Sequence, residues 1–166
     1  KLLINSVSNI PNVRLYILGE GAEQQELERI IVSKKLENKV FLLGFDSNPF
    51  KYLKSADLFI FGSNHEGFPN VLLEAMACNL PILSTNCPSG PDEILQMIQP
   101  KTNDLMFTDY GILVPVDDED LMIQGIKYLM NSPKYLKNCK DNSKVRVKHF
   151  GRDEILKNYY NCIFKV

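Results

Sequence analysis

Residues 57–85, DLFIFGSNHEGFPNVLLEAMACNLPILST, contain the pattern that decides the fold. An apolar run at residues 57–62 is followed by a polar loop, by a helical pattern at residues 70–78 and by a second apolar run at residues 81–85. Short runs that are almost continuously apolar are typical of strands covered on both faces. A strand, a helix and a strand in succession therefore predict a βαβ unit with parallel strands.

The residues at the two ends of this helical pattern support the assignment. Pro69 suits the first turn of a helix, where its missing N–H costs nothing. Asn79, followed by Leu80 and Pro81, suits a left-handed C-terminal cap and a stop. The pattern thus predicts a helix of about ten residues between two strands.

The same alternation extends along the chain and predicts the α/β class. The fold expected is a Rossmann-like parallel sheet with helices on both faces, in one domain over residues 1–166. Residues 96–110 have no clear periodicity and are predicted to form a loop. The other predicted strands are residues 13–19, 40–44 and 111–116, and the other helical segments are residues 1–10, 23–36, 49–54, 121–130 and 153–166, with a short turn from Asp92.

Composition describes an ordinary domain with one core. The chain has 166 residues, 45% of them hydrophobic and 23% charged, and a formal net charge of -1. No apolar run approaches the roughly 20 residues that span a bilayer, so a cytoplasmic protein is expected. The four cysteines form no CxxC pair and have no histidine at ligand spacing, which indicates neither a zinc site nor a disulfide framework.

Basic residues are concentrated in residues 127–157. A surface facing anionic lipid or a phosphorylated ligand is one interpretation. A solvated helix face is favoured, and the lack of interleaved aromatic residues argues against a nucleic-acid partner.

The loop HEGFPN, residues 65–70, contains the candidate binding residues. It follows a predicted strand directly, and ligands of open α/β sheets bind beyond the carboxyl ends of the strands. If the helix starts near Pro69 or Asn70, the free amides of Asn70, Val71 and Leu72 point back toward this loop. Such amides form a site suited to phosphate or diphosphate.

Two carboxylates flank these amides. Glu74 lies about one turn into the helix, too far along it to compete for the amides, and a carboxylate there can accept hydrogen bonds from two neighbouring hydroxyls, as on a ribose. Glu66 lies in the loop on the other side. The order predicts a nucleotide sugar laid along the start of the helix, although the helix dipole alone also favours a glutamate near a helix start.

Residues 63–95 form a longer motif, SNHEGFPNVLLEAMACNLPILSTNCPSGPDEIL. This motif resembles the donor-binding segment of the retaining glycosyltransferases of family 4, also called group 1. Four further stretches resemble elements of that family in the same order: NVRLYILGEG, ENKVFLLGF, KYLKSADLFI and GILVPVDDEDL. The resemblance therefore covers nearly the whole chain. It implies one half of a two-domain GT-B fold. The acceptor-binding N-terminal domain, together with a Gly-Arg pair and a Lys of the family, would precede Lys1.

The resemblance also implies a role for individual residues. Glu74 would hold the ribose, the amides after Phe68 would hold the diphosphate, and Glu66 would be the catalytic residue that faces the donor sugar. The remaining donor-binding candidates are Gly67, Phe68, Asn70, Val71, Leu72, His65, Gly44 and Phe45 near the base, and Ser89 and Gly90 at the cleft. For Gly44, Phe45, Ser89 and Gly90, a strand end, a core cap and a simple turn stay open as structural interpretations.

The function implied is transfer of a sugar, with retention, from a nucleotide diphosphate sugar to a saccharide or lipid-linked acceptor in the biosynthesis of lipopolysaccharide or capsule polysaccharide. No cofactor and no metal ion are expected, because VDDED, residues 116–120, is interpreted as a helix start. Peripheral association of the intact protein with the inner face of the membrane is an option. Residues 1–166 by themselves are expected to bind a nucleotide weakly and to transfer no sugar.

Alternatives from other classes stay open. One is a sugar-nucleotide epimerase of the same architecture, and another is a noncatalytic nucleotide-binding module. A dinucleotide oxidoreductase is disfavoured, because GEGAEQ, residues 19–24, matches the GxGxxG pattern only in part.

Overall fold

A computed structural model describes residues 1–98 and 100–164. Helices and strands alternate along most of the chain, as the sequence predicts. The helices are α1 Leu2–Ser8, α2 Gln24–Ser33, α3 Phe50–Leu53, α4 Asn70–Ala77, α5 Pro91–Ile94, α6 Glu119–Asn131, α7 Pro133–Arg146 and α8 Arg152–Phe164, with a 3-10 turn at Val147–Phe150. The strands are β1 Leu15–Leu18, β2 Val40–Gly44, β3 Phe59–Phe61, β4 Ile82–Thr85, β5 Met106–Phe107 and β6 Gly111–Val114.

The main sheet has the strand order β3-β4-β6-β5, and β1 pairs with β2 in a separate two-stranded sheet. The pairs β1–β2, β3–β4 and β4–β6 are parallel, which confirms the predicted parallel pairing. Gly111 lies so close to β4 that a Cβ built on it would be 2.1 Å from the Ile82 carbonyl oxygen. Only glycine therefore allows this register between β4 and β6.

The prediction of a loop at residues 96–110 is wrong for Met106 and Phe107. These two residues form β5, which pairs antiparallel with β6. A two-residue edge strand produces no apolar run and no alternation long enough to be recognised. The sheet is consequently mixed at this edge.

Helices cover both faces of the main sheet, as predicted. On β4 and β6, Leu83 and Ile112 pack into the same cluster as residues of α1 and α6, whereas Ile82 and Leu113 pack with residues of α4 and α5. This alternation follows from the two-residue period of a strand. Gly125 lets α6 approach closely, because a Cβ there would be 2.7 Å from a Leu83 methyl carbon.

Helix α7 was not predicted as a separate element. Its sequence, PKYLKNCKDNSKVR, is strongly polar, and its buried residues are the small Cys139 and Ser143. The apolar periodicity that reveals a helix is therefore weak here. The predicted terminal helix at residues 153–166 is observed as Arg152–Phe164, and its last two residues lie outside the described part of the chain.

The basic segment is a solvated helix face over much of α7, as favoured from sequence. Lys137 and Lys144 are exposed and lie 3.6 Å and 4.0 Å from carboxylate oxygens of Asp141 between them.

Cys78, Cys87 and Cys139 are free thiols. No helix within the described ranges is long and apolar enough to cross a membrane.

Candidate functional site

The loop of residues 63–69 follows β3 and is held by hydrogen bonds from neighbouring strand ends. The Thr85 hydroxyl, at the end of β4, donates to the Ser63 carbonyl at 2.5 Å. The Asn64 side-chain amide donates to the Asp117 carboxylate, beyond β6, at 2.8 Å. Within the loop, the Ser63 hydroxyl donates to the carbonyl of His65, whose side chain is exposed. The loop is thus tied to the carboxyl ends of two adjacent strands, where α/β domains bind ligands.

The start of α4 carries no side-chain cap. The helix begins at Asn70 after Pro69, whose ψ is 86°, and its first turn contains no acidic residue. The Asn70 amide donates to the Phe68 carbonyl and the Leu72 amide to the Pro69 carbonyl, each at 3.0 Å. These two amides are therefore already engaged, in contrast to the prediction that all three are free.

The open amides lie partly before the helix. Within the described residues, the amides of Gly67, Phe68 and Val71 donate no hydrogen bond, and all three residues are exposed. Exposed, unpaired N–H groups at the positive end of a helix favour an anion. Val71 is thus the one of the three predicted helix amides that is available, and the two loop amides join it.

The two carboxylates lie on either side of these amides along the chain. Glu66 is half-buried. In the segment after β4, burial raises the pKa of the Cys87 thiol, and the charge of Glu66 raises it further. Glu74 is the fifth residue of α4 and is half-buried. Burial raises the pKa of Cys78 as well, while the charge of Lys54 lowers it and that of Glu74 raises it.

Ser89 and Gly90 form a turn that packs directly on the loop before α4. Their φ angles are +66° and +111°, and Pro91 then opens α5. A Cβ on Gly90 would be 2.4 Å from Pro69 Cδ and 3.4 Å from Phe68 Cα. Ser89 is exposed and Gly90 is buried. The turn interpretation is correct, and the same turn borders the candidate site.

Gly44 and Phe45 lie at the end of β2, in the two-stranded sheet. Phe45 is 73% exposed, so it does not cap the core, and Gly44 has a φ of +69°. The Phe45 amide donates to a carboxylate oxygen of Glu20 at 3.3 Å. No hydrogen bond or ring contact of the described residues joins this pair to the loop at residues 63–69.

Several residues of the site were missed from sequence. Glu20 stands in Gly-Glu-Gly directly after β1. This stretch resembles an element of the family and matches a dinucleotide-binding pattern in part, but neither pattern assigns Glu20 a role. Phe150 packs on Phe68 with ring centroids 5.8 Å apart, and Arg146 lies against Phe150. The sequence has no local signal for these contacts, because they join segments far apart in the chain.

The acidic stretch VDDED behaves as predicted. A carboxylate oxygen of Asp118 accepts a hydrogen bond from the Leu121 amide at 2.9 Å and caps α6, which begins at Glu119. Among the residues that the structure describes, no group of three or more His, Cys, Asp or Glu side chains is arranged to hold a metal ion.

Open amides at a helix start, beyond the carboxyl ends of parallel strands, are an arrangement with which α/β domains bind phosphate groups. Comparison with known families defines the class more closely. Residues 1–146 match the family described as Glycosyl transferases group 1, and the chain belongs to this family.

Individual proteins resemble the chain over most of its length. The N-acetylgalactosamine-N,N'-diacetylbacillosaminyl-diphospho-undecaprenol 4-alpha-N-acetylgalactosaminyltransferase of Campylobacter jejuni is 38% identical over 158 residues, which are 95% of this chain and 40% of that protein. The lipopolysaccharide core biosynthesis glycosyltransferase LpsE of Rhizobium meliloti is 32% identical over 128 residues, covering 77% of this chain and 34% of that protein. The chain therefore spans about two fifths or less of the length of these relatives.

A solved structure confirms the fold. HepE of Anabaena, crystallised in complex with UDP, superposes with a TM-score of 0.81 at 21% identity, over 99% of this chain and 44% of that chain. The domain thus has the α/β fold of the part of HepE with which it superposes.

Proposed function

We propose that this domain binds the nucleotide diphosphate part of a sugar donor, and that the full-length protein transfers the sugar to a saccharide on a lipid carrier. The reaction proceeds with retention of the anomeric configuration. The product belongs to the biosynthesis of a surface polysaccharide such as lipopolysaccharide.

One observation carries the proposal: the order of Glu66, three open amides and Glu74 across the start of α4. The amides of Gly67, Phe68 and Val71 receive the diphosphate, since exposed N–H groups at a helix start favour phosphate. Glu74, farther along the helix, accepts hydrogen bonds from the ribose hydroxyls. Glu66, in the loop, faces the sugar.

Other predicted residues complete the binding surface. The backbone of Gly44 and Phe45 meets the base, and the exposed ring of Phe45 is available to cover it. His65, Ser89 and Gly90 line the opening beside the sugar. Asn70 and Leu72 form the first turn of α4, and their own amides are used within that turn.

The relatives support the choice of acceptor. The name of the Campylobacter jejuni protein specifies an acceptor joined to diphospho-undecaprenol, and LpsE is named for lipopolysaccharide core biosynthesis. We extend a lipid-linked acceptor to this protein on that basis. Such an acceptor places the reaction at a membrane surface, on the cytoplasmic side where nucleotide sugars are made.

Catalysis in this scheme is electrostatic. Negative charge develops on the leaving diphosphate, and amides fixed before the reaction stabilise that charge without reorganising. Glu66 orients the sugar and stabilises positive charge at its anomeric carbon. We propose that no metal ion takes part, and addition of EDTA should leave the rate within about twofold; a loss restored by Mg²⁺ or Mn²⁺ would contradict this.

The central test uses the full-length protein with UDP-, GDP- and ADP-sugars and a lipid-linked saccharide. Product formation identifies the donor, and the anomeric coupling constant in the NMR spectrum of the product reports retention or inversion. Glu66→Gln should lower kcat about 100-fold or more, because it removes a charge that acts mainly in the transition state. Release of free nucleotide without product, or conversion of the donor alone, would contradict sugar transfer.

A further inference from the structure

A closed ring of contacts joins the loop and the turn that border the candidate donor site to the end of α7. It links the loop before α4, the turn before α5, and the end of α7 with the 3-10 turn after it. Both the loop and the turn border the proposed ligand, whereas α7 and the 3-10 turn do not belong to any predicted site. The contacts of Arg146 and Phe150 connect them.

Arg146 joins the end of α7 to the end of α5. Its Nε donates to the Ile94 carbonyl at 3.0 Å, and its Nη2 donates to the Glu93 carbonyl at 2.6 Å. These carbonyls belong to the last two residues of α5, where a cation is favoured by the helix dipole. The two donors of one planar guanidinium thus fix the direction in which the side chain leaves α7.

The same guanidinium lies against an aromatic ring. Arg146 Cζ is 4.8 Å from the ring centroid of Phe150 and 5.8 Å from that of Tyr110. The Phe150 ring in turn packs on Phe68 of the donor loop at 5.8 Å, with the ring planes at 49°. The position of Phe68 therefore depends on a side chain that Arg146 holds in place.

Gly90 closes the ring from the other side. It precedes α5, and its missing side chain leaves room for Pro69, which follows Phe68. The loop is thus held between the turn before α5 on one side and Phe150 on the other, and Arg146 connects these two supports.

We propose that Arg146 and Phe150 are positioning residues for the sugar donor. They set the separation between the loop at residues 65–70 and the turn at residues 87–90, so that Glu66 and the amides of Gly67 and Phe68 face one ligand. This inference rests on the proposed function for its kinetic consequence. Its structural part, an ordered loop, is independent of that function.

The experiment compares Arg146→Lys and Phe150→Leu in the full-length protein. Lysine keeps the charge but lacks the planar fork that donates to two carbonyls while lying against the Phe150 ring. Leucine keeps an apolar side chain but loses the ring contact with Phe68. We expect each to lower kcat/KM for the donor about 10-fold to 100-fold, because small displacements of catalytic groups have effects of this order. The KM for the acceptor should be unchanged.

Two further variants separate positioning from general stability. Phe150→Tyr keeps the ring and should retain donor kcat/KM within about twofold, and Arg29→Lys, at an exposed site on α2, serves as a matched control with the same expectation. Backbone hydrogen exchange of the Asn70 and Leu72 amides, which are bonded to the Phe68 and Pro69 carbonyls, should rise for Arg146→Lys and Phe150→Leu, and exchange in α2 should stay unchanged.

The outcomes are distinct. If the wild-type protein turns over no nucleotide sugar, the proposed function fails, and exchange of the Asn70 and Leu72 amides alone decides the positioning role. Wild-type kinetics and exchange in both variants would overturn the inference. A uniform rise of exchange across all helices, with loss of thermal stability, would also overturn it, because Arg146 and Phe150 would then only support the fold.

Discussion

Helices α4 and α6 each follow a strand of the main sheet, yet their first turns are completed in opposite ways. Asp118 caps α6 through the Leu121 amide, and Glu119 and Asp120 add negative charge to its first turn. Helix α4 has neither a capping side chain nor an acidic residue in its first turn. The protein neutralises the positive end of α6 with its own carboxylates and leaves the positive end of α4 open.

Under the proposed function, the difference distinguishes a helix start that the protein caps itself from one left open for a ligand. A cap contributes about 1 kcal/mol to stability, so leaving it out at α4 has a measurable cost. Packing of Pro69 against Gly90 fixes the start of α4 instead. An anionic ligand can then supply the acceptors that a capping side chain would otherwise provide.

The largest expected difference concerns carboxylates on the two helices. Glu74→Gln on α4 should lower donor kcat/KM about 100-fold, or about 2.7 kcal/mol, because the ribose loses hydrogen bonds to a charged acceptor. Glu119→Gln in the first turn of α6 is the matched control and should leave kcat/KM unchanged. Equal effects in steady-state kinetics would remove the functional distinction between the helices.

The next effect tests the packing that replaces a cap. Gly90→Ala should reduce the free energy of unfolding by about 2 kcal/mol or more, because the new Cβ meets Pro69 at a φ of +111°. Gly21→Ala, where a Cβ would meet no atom within 4 Å, is the control and should change stability little. Urea denaturation measures both, and a stable Gly90→Ala protein would show that the turn and the loop can separate.

Sequence patterns predicted the βαβ unit around α4 in detail, because the residues that mark its strands and helix ends are close together in the chain. The predicted cap at Asn79 has a φ of +59°, and the helix starts at Asn70, one of the two starts predicted. The alternation of apolar runs was enough to predict the parallel strand pairs. It could not predict β5, which is too short to show a period, or α7, whose buried side chains are small.

Local sequence patterns could not predict which individual amides are hydrogen-bonded. Whether the Asn70 and Leu72 amides are free depends on the backbone angles of Phe68 and Pro69, which residue types alone do not determine. The contact of Phe150 with Phe68 depends on the fold as a whole. The loop before α4 and the start of that helix could thus be predicted from sequence, whereas the contacts that support the loop could not.

A third prediction follows the ligand itself. A nucleoside diphosphate at ten times its Kd should stabilise the protein by about 1.4 kcal/mol and slow hydrogen exchange of the Gly67, Phe68 and Val71 amides. Exchange of the Leu121 amide in α6, already bonded to Asp118, should slow by no more than the about tenfold that this gain in global stability allows. Protection at α6 equal to that at α4 would mean that the ligand acts on stability alone.

The smallest effect is expected at the cap of α6. Asp118→Ala should lower the free energy of unfolding by about 1 kcal/mol, because the Leu121 amide loses its acceptor. Donor KM should not change, since α6 is completed by the protein and not by the ligand. Asp120→Ala is the matched control: it removes a first-turn charge but no capping bond, so its loss should be smaller, about 0.3 to 1 kcal/mol. If Asp118→Ala weakened donor binding, the start of α6 would be part of the site as well. The contrast between a closed and an open helix start would then describe two parts of one binding surface.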